Sequence, residues 1–119
     1  MNAEPDKIPP NDLEAIRVIS WALEDVNEVR AVQLSNIRQI WATEAEVQRR
    51  FGPGTHGAHE AQDRSWLAYE TWCEYVWSHP TVVRDGRCYR LATIAAQFMH
   101  EVYQALGAAD QAGCEETQP

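Results

Sequence analysis

Apolar residues recur along this chain at helical spacing in several stretches, and no stretch shows the sustained alternation that builds strands. In the first, Ala15, Ile16, Val18, Ile19, Ala22, Leu23 and Val26 gather on one side when projected at 100° per residue. Asn11 and Glu14 precede them at capping-box spacing, so a helix of about four turns is predicted to begin at Asn11. The pattern resets around Asp25 to Glu28. Val29, Val32, Ile37, Ile40 and Trp41 then define a second stripe, predicting a helix over 28–42. Thr43 and Glu46 repeat the capping spacing and predict a short helix through Phe51, which Gly52, Pro53 and Gly54 end.

A third long helix is predicted over 57–78, with Pro80 barring further extension. Its segment 65–77, SWLAYETWCEYVW, holds three of the five tryptophans. Its apolar residues sweep an arc of about 200°, while Glu70, Thr71, Glu74 and Ser78 share the other side with Leu67. So wide an arc calls for two flanking helices, or for one and cover from another chain. Tyr69, Trp72, Cys73 and Val76 are therefore expected to be buried, and Trp66 and Trp77, at the margin of the arc, are candidates for partner contact. Residues 82–89 carry an Asp85-Gly86 turn signal and leave a hairpin or a loop open. Leu91, Ile94, Ala95, Phe98, Met99, Val102 and Leu106 form the seam of a last helix, with Gly107 placed as its C-cap.

The elements predict an all-α, single-domain bundle of four main helices plus one short helix over 11–107. Residues 1–10, with three prolines, read as a disordered lead-in, and 108–119 as a disordered acidic tail. A length of 119 residues suits one domain.

Charge narrows the function. The net charge is −8, with 18 acids against nine arginines and one lysine, so direct nucleic-acid binding is not expected. Apolar runs fall far short of the ~20 residues that cross a bilayer, and the acidic N-terminal stretch does not read as a signal peptide. Three cysteines with no CxxC pair fit a reducing compartment, and a cytoplasmic location is expected.

Motifs of catalysis are sparse. No serine sits in a GxSxG elbow, and Gly52, Gly54 and Gly57 lie between helical segments rather than after a strand. His56, His59, Glu60 and Asp63 share helix faces pairwise, a donor set that suits a divalent ion if another ligand arrives from elsewhere. Glu44 and Glu46 followed by Glu60 and Asp63 on the next helix are similar to the carboxylate arrangement of all-α nucleotide pyrophosphohydrolases. The chain departs from that pattern in lacking a tandem glutamate pair on the first of the two helices. A metal-dependent hydrolase is thus the alternative, and the leading expectation is a non-catalytic acidic protein-binding module of inhibitor or immunity type, with no cofactor and with a homodimer among its options. Its candidate contact residues are the acids Glu24, Asp25 and Glu28, the ring edges of Trp66 and Trp77, and the arginines Arg84, Arg87 and Arg90, which would form one basic stripe if that region is helical.

Overall fold

A computed structural model describes the backbone of residues 10–117 and the side chains of 12–112. The described chain is all helical. α1 (Pro10–Glu24) and α2 (Val26–Trp41) follow one another with only Asp25 between them. α3 (Glu44–Phe51) is short, and α4 (His56–Trp72) runs on into a π-helical turn, Cys73–Trp77. α5 (Pro80–Arg84) is a single turn before the long α6 (Gly86–Thr117).

Local chemistry explains most boundaries. Proline at the first position of α1 gives up no hydrogen bond, because the first turn of a helix has no intrahelical acceptor for its N–H groups. Thr43 and Thr55 cap α3 and α4, each hydroxyl accepting a bond from the N–H three residues on. Glu46 does not reach back to complete the capping box; it bonds Arg49 and Arg50 instead. Between α2 and α3 the chain reverses through Ala42 at φ 66° and ψ −47°, with the Thr43 N–H donating to the Trp41 carbonyl at 2.7 Å. That is a γ-turn, a strained conformation for alanine. At the end of α4 the Ser78 N–H bonds the carbonyl of Cys73, five residues back, and the Ser78 hydroxyl lies 2.9 and 2.8 Å from the carbonyls of Cys73 and Glu74. These bonds hold the wider turn closed.

Three expectations are corrected. The segment 82–89 is neither hairpin nor loop but α5 and the first turn of α6, because the His79 imidazole accepts from the Thr81 N–H and Pro80 occupies a first-turn position. Gly107 does not cap a helix: α6 continues through it to Thr117, so the region expected to be a disordered tail is helical as far as it is described. Gly107 is where α6 passes Gln62 of α4, whose Nε2 would lie 2.6 Å from a Cβ there. The aromatic helix is half-buried rather than buried at Tyr69, Trp72, Cys73 and Val76. The expected lead-in, but for Pro10, lies outside the described residues.

The principal packing is α4 against α6. The two helices run antiparallel, since His59 near the start of α4 meets Asp110 late in α6, while Trp72 donates its indole N–H to the Ala92 carbonyl at 3.0 Å. Trp66 packs on Tyr103, and Tyr69 on His100, with ring centres 5.0 and 5.3 Å apart. α1 lies along the first half of α6 and is tied there by Arg87 to Glu14 and Arg90 to Asp12 at 2.7 and 3.1 Å. α2 packs appreciably only on α3. The molecule is accordingly long, 60 × 30 × 28 Å, with a radius of gyration of 18.7 Å where about 13.5 Å is expected for a compact chain of this length.

Candidate functional site

Helices α1 and α2 form an arm many of whose large apolar side chains the rest of the described chain leaves exposed. Trp21 is 74% exposed, Ile40 70%, Val32 60% and Leu23 59%. The apolar residues found buried are three alanines, Ala15, Ala92 and Ala96, and no large side chain among the described residues is fully enclosed. The helical stripes read from the sequence are therefore real, but only part of each meets another helix.

Two hollows lie along the arm. Between α1 and α6, Ala15, Val18, Ile19, Leu91, Ile94 and Phe98 line an apolar groove of about 560 Å³. Ala15, Ala22 and Ala95 are the small residues of its lining. At the joint between α1 and α2, Trp21, Ala22, Asp25, Val26 and Val29 surround a second hollow of about 350 Å³. The acids Glu24, Asp25 and Glu28 stand exposed around this joint and form no ion pair among the described residues.

The arginines divide differently from a single stripe. Arg87 and Arg90 join α6 to α1 through Glu14 and Asp12, and only Arg84 is left without such a partner among the described residues. The Arg87 hydrogen bond holds the Glu14 carboxyl below the usual glutamate range, and the same bond raises Arg87. Asp85 is lowered chiefly by the Cys88 N–H, which it accepts at the start of α6. Thus Arg87 and Arg90 hold the arm on the bundle.

Trp66 and Trp77 flank an open hollow of about 620 Å³ on α4, with Tyr69, Glu70, Cys73 and Glu74 between them. Trp77 donates its indole N–H to Thr93 at 2.9 Å and lies 6.3 Å from the Tyr89 ring, whereas Trp66 keeps 39% of its surface exposed. Trp72 faces α6, so the part of the aromatic helix left open is its edge.

The candidate metal and hydrolase residues do not converge. Glu44 pairs with Arg38, Glu46 with Arg49 and Arg50, and Glu60 with Arg64. The two arginines hold the Glu46 carboxyl below its ordinary range, Arg49 first. His56 approaches Glu60 at 3.8 Å, while His59 turns to Asp110 at 3.1 Å. Among the described residues no group of three or more His, Cys, Asp or Glu side chains is placed to hold a metal ion.

Asp110 was hidden from sequence reasoning. It is the buried charged residue of the described chain, and it accepts the Gly54 N–H and faces His59, so it pins the Gly-Pro-Gly corner to the end of α6. The one signal available was the run Ala108 to Ala112, which carries no helix breaker after Gly107. Comparison with protein-family models, with curated proteins and with solved structures finds no match to this chain.

Proposed function

We propose that this chain is a non-catalytic protein-binding module and that the α1–α2 arm is its binding surface. The carrying observation is the apolar surface the arm leaves open: ten large side chains of α1 and α2 are 45–74% exposed, an area on the order of 1,000 Å². Stable interfaces use about 800 Å² per partner, whereas large contiguous apolar patches are uncommon on proteins that work alone. The acids Glu24, Asp25 and Glu28 rim this surface and favour a partner whose contact face is basic. Occupying a basic face on a catalytic partner is how such a module would act as an inhibitor or immunity-type protein.

The hydrolase alternative finds no comparable support, since Glu44, Glu46 and Glu60 are each engaged by arginines. The test is affinity capture from the source cell with the wild-type chain and with a Trp21→Glu, Leu23→Glu variant. A captured protein that the variant loses supports the reading. Equal capture by both chains, or stoichiometric magnesium or zinc binding in calorimetry that is lost on Glu60→Ala, Asp63→Ala, overturns it.

A further inference from the structure

α2 leaves open a stripe whose spacing reads the same in both directions. Val26, Val29, Gln33, Ile37 and Ile40 are separated by three, four, four and three residues, so Gln33 lies at the centre with two apolar positions on each side. All five share one face of the helix. Val29, Gln33 and Ile40 are exposed, with Val26 45% exposed and Ile37 half-covered. A stripe of this symmetry is complementary to itself run backwards. In an antiparallel pair about a two-fold axis, the residue on the axis meets its own copy, and residues equally far on either side meet each other.

From this we infer that a second copy of the chain covers the arm, through an antiparallel α2–α2 pair centred on Gln33. The inference rests on the reading of the arm as a protein-binding surface and names its first occupant. The pairing sets Val29 against the second copy's Ile37 and Val26 against its Ile40. Gln33 meets Gln33, and a carboxamide, both donor and acceptor, satisfies its own copy across the axis. A polar residue at the centre of an apolar seam fixes register, as single buried amides do in coiled coils.

One further observation fits the same register. Ile40, 70% exposed, is carried to the joint of α1 and α2 on the other copy, where the hollow of about 350 Å³ lined by Trp21, Ala22, Asp25, Val26 and Val29 is open to receive it. The shape of the single chain agrees. Its accessible surface is 9633 Å², against about 6,500 Å² for a compact protein of 13.5 kDa. A chain with so little enclosed apolar surface gains too little burial to offset the entropy of ordering its arm alone.

Size-exclusion chromatography with light scattering on the full chain is expected to give twice the monomer mass of 13.5 kDa. A folded monomer overturns the inference, and if that monomer still captures a partner through the arm the proposed function stands without it. Geometry is tested on a background of Cys73→Ala, Cys88→Ser and Cys114→Ser. Mild oxidation should convert most of a Gln33→Cys chain, but little of a Gln39→Cys chain, to a disulfide-linked dimer, because only the on-axis residue meets itself. Equal linkage at the two positions, or linkage at Gln39 alone, overturns the antiparallel register. Ile40→Glu provides the third arm: a dimer that withstands it with unchanged dissociation refutes the seating of Ile40, whereas conversion to monomer or at least a tenfold weaker dimer supports it.

Discussion

Replacing Gly57 by alanine should lower stability although alanine is the better helix former. Gly57 lies in the first turn of α4, where the end of α3 folds back over it. A Cβ there would sit against the Arg50 carbonyl and 2.6 Å from Cδ1 of Phe51. The ring can yield; a backbone carbonyl in the last turn of a helix cannot swing aside. Overpacking of this kind costs about 3 kcal/mol at the upper end of its usual range. The intrinsic preference for alanine over glycine in a helix returns about 1 kcal/mol. The net loss is about 2 kcal/mol, or a melting temperature lower by about 8 °C for a domain of this size. Gly86 supplies the control, since nothing lies within 4 Å of a Cβ built there. Gly86→Ala should raise stability by about 0.5 kcal/mol through the unfolded chain. Thermal melts by far-ultraviolet circular dichroism, at one protein concentration because self-association shifts the midpoint, measure both variants. A Gly57→Ala chain that melts at or above wild type refutes the close approach of α3 to α4.

Acidification should release the arm. Because Glu14 is lowered in the folded chain, its contribution is present above the ordinary glutamate range and is lost as pH falls through the lowered value, so wild type should lose more stability in acid than Glu14→Gln does. Ala42→Gly should gain about 1 kcal/mol in urea denaturation by relieving the positive φ of the γ-turn, and a loss would show that the turn is not formed as described. Asp110→Ala should cost about 2 kcal/mol and speed proteolysis at 52–55, because the Gly54 N–H loses its acceptor; unchanged proteolysis would free that corner from α6.

The helices were legible in the sequence because each is announced locally. Spacing of apolar residues at 15–26, 29–41 and 91–106, the threonine cap at Thr43, and the Gly-Pro-Gly corner are properties of neighbours along the chain. The last helix was cut short because Gly107 looks like a terminator when judged by its own conformational freedom. Its use is distant: it admits Gln62 from a helix more than forty residues earlier. The π turn after Trp72 was likewise invisible, since Ser78 and the carbonyls it bonds leave no periodic trace.

The candidate contacts show the same division. The sequence by itself determined that Glu24, Asp25 and Glu28 form an acidic cluster and that 65–77 is too broadly apolar for one covering helix. Those are counts and angles, fixed by composition and by 3.6 residues per turn. Only the tertiary structure decided where each stripe goes. It assigned Arg87 and Arg90 to Glu14 and Asp12, placed Asp110 beneath the Gly-Pro-Gly corner, and left most of α2 exposed beyond its contact with α3. The reason is that an apolar stripe states how much surface must leave water but not against what, and which helix covers it is settled by lengths, loops and ion pairs acting together across the chain.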